Sequence, residues 1–309
     1  MKVLSLFDGM SCGQIALQRL GIEVEKYVAS EIDKYAISVA KKNFPNMIHI
    51  GDVRDVKVTE HFDLIMFGSP CQGFSFAGNN LNFDDPRSQL FFEAVRILEE
   101  AKAINPNVKF LMENVRMKKD SEQVITDLLG VEPIAINSSI FSAQSRYRLY
   151  WTNLEVGEIP EDKGIVLKDI LEDDYITDRD KAHCIDANYF KGGNLKSYFE
   201  KHRRQLVFSK DGLCHVGDAD LKGHDAIKRV YHTDGKSPTI TTMGGGHREP
   251  KVFKEPEAWR KLTPLECERL QTVPDNYTNH VSNTQRYKML GNGWTVDTVC
   301  HVLSSLSNE

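Results

Sequence analysis

The chain opens with residues 1–31, MKVLSLFDGMSCGQIALQRLGIEVEKYVASE, in which two short apolar runs flank an amphipathic stretch. The runs cover positions 3–7 and 24–29, which are typical lengths for buried strands. Between them, apolar residues recur at helical spacing over positions 12–20 until Gly21, a residue type that commonly ends helices. The stretch therefore predicts a strand, a helix and a second strand, the unit from which parallel sheets are built.

The same alternation continues as far as residue 154. Further apolar runs occupy positions 47–50, 62–67, 108–112, 134–140 and 149–154, and helical spacing recurs over 32–40 and 91–98. We therefore predict an α/β fold, a Rossmann-like sheet of mostly parallel strands with helices on both faces. In open sheets of this kind ligands bind beyond the carboxyl ends of the strands, so the residues at these ends are the candidates for function.

Composition and charge separate a second region from this sheet. The 309 residues are 40% hydrophobic with a net charge of −5, typical of a globular protein, and we expect a cytoplasmic chain without signal peptide or membrane span. Residues 181–260 hold 15 Lys and Arg against 10 Asp and Glu, together with 6 of the 10 histidines and several Gly-rich turns. This pattern indicates a smaller, loop-rich domain that contacts a polyanion, although a solvated basic face would give the same count.

Small or acidic residues follow the first three predicted strands. The loop Phe7-Asp8-Gly9-Met10-Ser11-Cys12-Gly13 comes after the first strand and opens the first helix. Glu31 ends the second strand, where a carboxylate can accept both hydroxyls of a ribose, and Asp52 follows the third. A loop and two acids in this order indicate an adenosine-containing cofactor without a phosphate group. Three unrelated strand ends would look the same.

A cysteine follows the fourth strand in the sequence Gly68-Ser69-Pro70-Cys71-Gln72. An isolated cysteine is most often a small buried residue, but one beyond a strand end, between Pro70 and Gly73, has the placement of an exposed nucleophile. Its thiolate needs a positive neighbour, which Arg146 and Arg148 or a cationic cofactor could supply. Glu113, after the fifth apolar run, is interpreted as a general acid whose pKa burial raises; a solvated acid at a strand end is the alternative.

Gln144, Arg146 and Arg148 alternate with Ser145 and Tyr147, so in a strand the first three share one face. Two arginines and an amide are costly in a core, and a polar ligand on that face would explain them; a solvated edge strand is the alternative. The six cysteines contain no Cys-x-x-Cys pair, so we predict neither a metal site nor a disulfide framework.

Together these motifs resemble one family, the DNA cytosine-5 methyltransferases, over nearly the whole chain. Pro70-Cys71-Gln72 resembles its catalytic motif, Glu113-Asn114-Val115 its base-anchoring motif, and Gln144-x-Arg146-x-Arg148 the arginine pair behind it. Residues 260–277 resemble the helix after its recognition domain, and Gly291-Asn292-Gly293 its last motif. The first loop, Asp-Gly-Met-Ser-Cys-Gly, and the last turn, Gly-Asn-Gly-Trp-Thr-Val, are variants similar to those of the animal de novo DNA methyltransferases.

The resemblance implies an S-adenosylmethionine-dependent methyltransferase domain over residues 1–178, a target recognition domain over 179–259 and a C-terminal segment, 260–309, that packs back on the first domain. It implies S-adenosylmethionine as the cofactor, S-adenosylhomocysteine as its product, and no metal. The residues expected at the cofactor are Phe7, Asp8, Gly9, Ser11, Gly13, Glu31, Ile32, Asp52, Val53, Ser69, Pro70, Asn292 and Trp294, with Ile32 where an aromatic residue often covers the adenine. Those expected to contact DNA are Gln72, Ser75, Gln144, Thr239, Ile240, Thr241, Gly244 and Gly245.

The implied reaction transfers a methyl group to carbon 5 of cytosine in a specific duplex DNA sequence. The resemblance assigns Cys71 the attack on carbon 6, Glu113 the stabilisation of charge at ring nitrogen 3, Arg148 the contact to the oxygen on carbon 2, and Arg146 the orientation of neighbouring groups. The target base must be flipped out of the duplex for this chemistry.

Two other functions stay open at this point. The same scaffold could methylate cytosine in RNA, including tRNA, or it could be an idle DNA-binding module, which the presence of Cys71, Glu113 and Arg148 disfavours. The resemblance further implies a monomer of bacterial or phage origin, and it leaves open a companion restriction endonuclease that acts on the same DNA sequence.

Overall fold

The computed structural model of the protein describes residues 1–69, 86–209, 215–218, 229–232, 251–253 and 259–308. Seven strands form the main sheet: β1 (Lys2–Leu6), β2 (Lys26–Ser30), β3 (Ile48–Gly51), β4 (Leu64–Phe67), β5 (Lys109–Val115), β6 (Ile134–Asn137) and β7 (Tyr147–Thr152). Their order across the sheet is β3-β2-β1-β4-β5-β7-β6. The first five strands are parallel, and β7 runs antiparallel to both β5 and β6. The predicted α/β fold with a mostly parallel sheet is confirmed.

Helices cover both faces of this sheet. The helices of the described residues are α1 (Cys12–Arg19), α2 (Lys34–Asn43), α3 (Pro86–Ile104), α4 (Lys119–Leu129), α5 (Leu195–Lys201), α6 (Pro264–Leu270), α7 (Asn283–Asn292) and α8 (Val296–Val302). Of these, α5 packs away from the main sheet, in a small separate cluster with Leu206 and Phe208. Side chains of β4 alternate between the two faces, because successive residues of a strand point to opposite sides. Leu64 and Met66 pack with α1 and α8, whereas Ile65 and Phe67 pack with α3 and α4. Two buried apolar layers therefore enclose the sheet.

Two strand boundaries differ from the sequence prediction in a way that affects the site. β5 continues beyond the apolar run to Val115, because Glu113 and Asn114 remain in the ladder opposite Tyr150 and Leu149 of β7. The strand predicted to begin at Gln144 begins only at Tyr147. Gln144 instead makes an isolated bridge to Ala182, outside the sheet.

Smaller sheets follow in the predicted recognition domain. Strand β8 (Leu206–Phe208) pairs with β12 (Trp259–Lys261), and β9 (His215–Asp218), β10 (Arg229–His232) and β11 (Lys251–Phe253) form a three-stranded sheet. Ala182, Ile185 and Tyr189, which the sequence assigned to this domain, are buried in the core cluster of the main sheet. No helix in the described ranges is both long and apolar enough to cross a membrane.

Residues 260–308, the C-terminal segment, pack against the face that carries α1. Thr263 caps α6 as its sequence predicts, since its hydroxyl oxygen accepts a hydrogen bond from the backbone N–H of Glu266 at 3.1 Å. Glu268 is completely buried in the same helix, where it is paired with Arg286 at 3.0 Å and accepts the backbone N–H of Thr278 at 2.9 Å. A buried acid with this many partners is a structural residue, because its charge is fully compensated.

Candidate active site

The loop after β1 has a conformation that the hydrogen bonds around it stabilise. Phe7 and Ser11 both have left-handed backbones, with φ of +55° and +65°, which side-chain-bearing residues seldom adopt. The backbone N–H of Asp8 donates to the carbonyl of Ser30 at 3.1 Å, and that of Gly9 to the Glu31 carboxylate at 2.8 Å. The loop is therefore hydrogen-bonded to the carboxyl end of β2, at the edge where ligands of such sheets bind.

The side chain of Asp8 is used within the loop itself. Its carboxylate accepts hydrogen bonds from the Ser11 hydroxyl and, at 2.7 Å, from the Tyr27 hydroxyl. Burial raises the pKa of Asp8 to about 6, in spite of these hydrogen bonds. Gly13, one turn later, is buried so closely against Met66 that a Cβ would lie 2.6 Å from its terminal methyl group. Asp8 and Gly13 therefore shape the loop through packing and internal hydrogen bonds.

Glu31, Ile32 and Asp52 directly follow β2 and β3, at the carboxyl edge of the sheet. The Glu31 carboxylate accepts three backbone N–H groups at 2.8 Å, from Gly9, Ile32 and Asp33. Each carboxylate oxygen has two lone pairs, so the group has capacity left for a ribose hydroxyl. The Ile32 side chain is 73% exposed, an open apolar surface beside this carboxylate that suits a flat ring.

Asp52 is the second acid at this edge. Its carboxylate accepts hydrogen bonds from the backbone and guanidinium of Arg54 at 2.6–3.0 Å, and these contacts lower its pKa to about 2. Asp52 is therefore ionised at neutral pH and can accept hydrogen bonds. The neighbouring residue, Val53, is buried.

The carboxyl end of β4 meets the turn after α7. A Cβ built on Gly68 would lie 3.0 Å from the indole nitrogen of Trp294, so the ring packs directly on the glycine backbone. Ser69 is 5% exposed, and its hydroxyl has no hydrogen-bond partner among the described residues. Asn292 is exposed at the end of α7. A buried hydroxyl, an indole ring and the loop of β1 thus lie together at the carboxyl edge of the sheet, and these groups fit an adenosine-containing sulfonium cofactor.

Glu113 and Arg148 form a buried ion pair on neighbouring strands. The Nε of Arg148 lies 2.9 Å from Oε1 of Glu113, and the two side chains are only 14% and 10% exposed. Their strands are paired so that Val115 lies opposite Arg148 and Glu113 opposite Tyr150. The alternative interpretation of Glu113 as a solvated acid at a strand end is therefore wrong, because β5 continues past it and β7 covers it.

Arg146 is buried, but its guanidinium binds the protein backbone. It donates to the carbonyls of Ile185 at 3.1 Å, Gly291 at 3.3 Å and Gly293 at 2.9 Å. Gly291 approaches the chain at Asp186 so closely that a Cβ there would lie 2.2 Å from a backbone carbon. Arg146 thus links residues 291–293 to Ile185 in the segment before α5. Its side chain holds these backbone segments in position.

The prediction that Gln144 contacts DNA does not fit its placement. Gln144 has no exposed surface, although the predicted alternation is present, with Ser145 and Tyr147 exposed on the other side. Its amide oxygen accepts the backbone N–H of Ile185 at 2.8 Å, and its amide nitrogen donates to Gln271 at 3.3 Å. A buried amide must satisfy its polar groups internally, and this one does so with the protein.

The structure adds groups that the sequence did not single out. The sulfur of Cys184 lies 3.4 Å from Nη1 of Arg146 and 3.9 Å from Nη2 of Arg148. Two further examples are Tyr27, which donates a hydrogen bond to Asp8 in the loop after β1, and Gln271, which accepts one from Gln144. No local pattern marks these three residues, because each meets its partners only through tertiary packing.

Several predicted site residues lie outside the described residues. These are Pro70, Cys71, Gln72, Ser75, Thr239, Ile240, Thr241, Gly244 and Gly245. Within the described ranges, no group of three or more His, Cys, Asp or Glu side chains is arranged to hold a metal ion.

Comparison with known proteins shows what the whole chain is similar to. The profile described as C-5 cytosine-specific DNA methylase matches residues 1–308. The orphan methyltransferase M.Rho11sI of Bacillus phage rho11s is 30% identical, over 82% of this chain and 69% of its own length. The type II methyltransferase M.HhaI of Haemophilus parahaemolyticus is 26% identical over 100% of this chain and 95% of its own. In fold, the Entamoeba histolytica methyltransferase EhMeth superposes with a TM-score of 0.69 at 15% identity, covering 99% of this chain and 98% of its own.

Proposed function

Because this chain belongs to the C-5 cytosine-specific DNA methylases, we propose that it methylates carbon 5 of cytosine in a specific duplex DNA sequence through a covalent bond to Cys71. The observation that carries the proposal is the buried pair of Glu113 and Arg148 beside the strand that leads to Cys71. Phe67, the last residue of β4, lies opposite Met112 of β5, so the chain leaves β4 for Cys71 next to Glu113. A nucleophile in the segment that follows β4 and an acid within the adjacent strand β5 suit attack on a ring and protonation of it.

The chemistry requires a nucleophile because carbon 5 of cytosine is not nucleophilic enough to take a methyl group unaided. The Cys71 thiolate forms a bond to carbon 6, and the electrons of the carbon 5–carbon 6 double bond make carbon 5 nucleophilic. Glu113 hydrogen-bonds ring nitrogen 3 and stabilises the charge that develops there. S-adenosylmethionine, when bound, supplies the methyl group on a sulfonium. Loss of the carbon 5 proton to a base and cleavage of the carbon–sulfur bond then restore the ring and free Cys71.

The cofactor is expected in the opening surrounded by the ends of β1–β4. The Glu31 carboxylate accepts hydrogen bonds from the ribose hydroxyls, and Ile32 and Val53 contact the adenine. Asp52 accepts a hydrogen bond from the amino group of the adenine. The loop from Phe7 to Gly13, with Ser69, Asn292 and Trp294, encloses the sulfonium end. Arg148 retains N–H groups beyond its ion pair with Glu113, and one of them reaches the oxygen on carbon 2 of the flipped base.

Recognition of the DNA sequence is proposed for the region that the sequence places at 179–259. Ala182, Ile185 and Tyr189 pack in the core of the main sheet, so we propose that the part of the chain that reads bases begins after Tyr189. Its basic side chains contact phosphates, and Thr239, Ile240, Thr241, Gly244 and Gly245 contact DNA, as do Gln72 and Ser75 near the nucleophile. The chain acts as a monomer in this proposal. One relative is named an orphan methyltransferase and another a type II methyltransferase, so a companion endonuclease stays open.

The test uses DNA that contains 5-fluorocytosine, because fluorine cannot leave carbon 5 as a proton does. Incubated with the protein and S-adenosylmethionine, such DNA is expected to give an adduct that survives denaturation and maps to Cys71. Cys71→Ser should give no adduct and keep DNA binding, and the matched variant Cys300→Ser, at a half-buried thiol beside α1, should behave as the wild type. An adduct with tRNA and none with any DNA would overturn the DNA proposal in favour of an RNA substrate.

A further inference from the structure

A third polar group contacts the two arginines behind the base-anchoring acid. Cys184 lies in the segment before α5, and its sulfur is within 3.4 Å of Nη1 of Arg146 and 3.9 Å of Nη2 of Arg148. We propose that Cys184 is a positioning residue of the base pocket, whose sulfur holds Arg148 in the orientation that pairs it with Glu113. The inference rests on the proposed function, because it gives this cysteine a part in the same methyl transfer.

The charge balance of the pocket explains why such an acceptor is needed. Arg146 is 4% exposed and Arg148 is largely buried, yet in the described part of the chain Arg148 has one carboxylate partner, Glu113, and Arg146 has none. Two buried cations against one anion are unfavourable unless polar groups compensate the second charge. Backbone carbonyls accept from Arg146, but its Nε has no hydrogen-bond acceptor among the described residues although the side chain is almost fully buried. The sulfur of Cys184 therefore meets guanidinium groups that lack sufficient acceptors.

The geometry of Arg148 shows what the sulfur contributes. Its Nε is paired with Glu113 at 2.9 Å and its Nη1 donates to the carbonyl of Tyr147 at 2.8 Å. Cys184 contacts the remaining nitrogen, Nη2. With all three nitrogens in contact, the planar guanidinium is fixed in orientation as well as in position. Without the sulfur, the plane can rotate away from Glu113 and from the base.

Electrostatics at the thiol supports the same arrangement. Burial alone raises the pKa of the Cys184 thiol, but the two guanidinium groups outweigh burial and bring it below the ordinary value. Cys300 is also half-buried, and there burial raises the pKa of the thiol to about 11. Both thiols are half-buried, but the Cys184 sulfur contacts two guanidinium groups whereas the Cys300 sulfur contacts the carbonyl of Ala16, so the pair forms an internal comparison.

The first measurement tests the contact without requiring any activity. Cys184 and Cys300 are alkylated with iodoacetamide at a series of pH values, and each modified peptide is quantified by mass spectrometry. We expect the midpoint for Cys184 to lie more than one pH unit below that for Cys300, and Arg148→Gln to raise the Cys184 midpoint alone. A Cys184 midpoint equal to that of Cys300, or one that Arg148→Gln does not move, would overturn the proposal.

The second measurement separates positioning from a merely structural role. Single-turnover methyl transfer to saturating DNA is expected to be about tenfold slower in Cys184→Ala, with the KM for S-adenosylmethionine unchanged. Cys184→Ser, which keeps an acceptor of similar size, should restore the rate to within about threefold of the wild type, and Cys300→Ala serves as the control. Equal rates in Cys184→Ala and wild type, or equal losses in the Ala and Ser variants, would refute a role for the sulfur as an acceptor.

These two measurements also keep this proposal distinct from the proposed function. If the wild type transfers no methyl group to any DNA, the assigned reaction fails, whereas the alkylation midpoints still report whether the thiol contacts the arginines. If the wild type is active and the midpoints of the two thiols coincide, only the role of Cys184 fails.

Discussion

Asp8 shows that a residue predicted to bind a ligand can act on its own loop instead. Its carboxylate accepts from Ser11 and Tyr27, and its backbone connects the loop to β2. Burial raises its pKa to about 6, well above the usual value near 3.8. The folded protein therefore binds the proton of Asp8 more tightly than the unfolded chain does, and the loop contains a group that titrates just below neutral pH.

This raised pKa predicts how the stability of the protein depends on pH. The stabilisation from protonated Asp8 is complete below about pH 4 and is lost as the pH rises through about 6. Asp8→Asn removes this titration, so its free energy of unfolding relative to the wild type should increase by about 2 kcal/mol between pH 4 and pH 8. Urea denaturation at both values measures the difference. The exposed Asp174→Asn is the control, and a difference between Asp8→Asn and wild type that does not change with pH would contradict the prediction.

At the level of single residues, the sequence predicts which side chains lie near strand ends better than it predicts which residues contact them. Glu31 and Glu113 could be singled out because each follows an apolar run, and the structure places both at the carboxyl edge of the sheet. Cys184 and Tyr27 could not be singled out, since their neighbours Arg148 and Asp8 are distant in sequence. Gln144 was misassigned because alternation predicts which side a residue faces and gives no information on whether ligand or protein lies there.

Among the elements, β4 has a role that its own sequence does not reveal. It ends at Phe67, and Gly68 then passes directly beneath the indole of Trp294, in the turn after α7. A side chain at position 68 would meet the indole nitrogen at 3.0 Å and Cζ2 at 3.3 Å, closer than carbon atoms normally approach. The glycine therefore determines where the indole ring lies, which we propose as the aromatic wall of the cofactor site.

Gly68→Ala is accordingly expected to displace the indole and weaken cofactor binding. We expect the Kd for S-adenosylhomocysteine to rise at least fivefold by calorimetry, with an unchanged circular dichroism spectrum. The double variant Gly68→Ala with Trp294→Phe should recover part of the affinity, because the smaller ring leaves room for the methyl group. Gly157→Ala, where a Cβ meets no atom within 4 Å, is the control. Unchanged affinity in Gly68→Ala would show that the indole is not part of the cofactor site.

The elements of the main sheet were predictable because their apolar periodicity is strong, whereas their ends were not. β5 extends through two polar residues since β7 pairs with it there, and pairing between strands distant in sequence leaves no local signal. For the same reason, the sequence alone could not show that Ala182, Ile185 and Tyr189 belong to the core of the main sheet.

At the scale of the whole molecule, the C-terminal segment completes the first loop. The hydroxyl of Tyr277 donates to the carbonyl of Met10 at 2.7 Å, and the side chain of Asn43 donates to the carbonyl of Tyr277 at 3.1 Å. Lys288 is paired with Asp33 at 2.7 Å, next to the exposed Ile32. The walls of the proposed cofactor site therefore come from both ends of the described chain.

Tyr277→Phe tests this connection with the loss of one hydroxyl. A buried hydrogen bond contributes about 1 kcal/mol, so we expect the free energy of unfolding to fall by about that amount. The Kd for S-adenosylhomocysteine should rise about fivefold, because the carbonyl of Met10 is left without its donor and the loop loosens. Tyr175→Phe, whose ring lies against Arg260, is the control. Loss of stability without any change in affinity would show that the loop keeps its conformation independently.

The bond between Tyr277 and Met10 joins residues 267 positions apart. During translation, the loop that contains Met10 leaves the ribosome long before Tyr277 is synthesised. A nascent or prematurely terminated polypeptide that lacks Tyr277 therefore lacks a contact that completes the proposed cofactor site. Modification of DNA is thus expected to begin only after the ribosome has passed this part of the message.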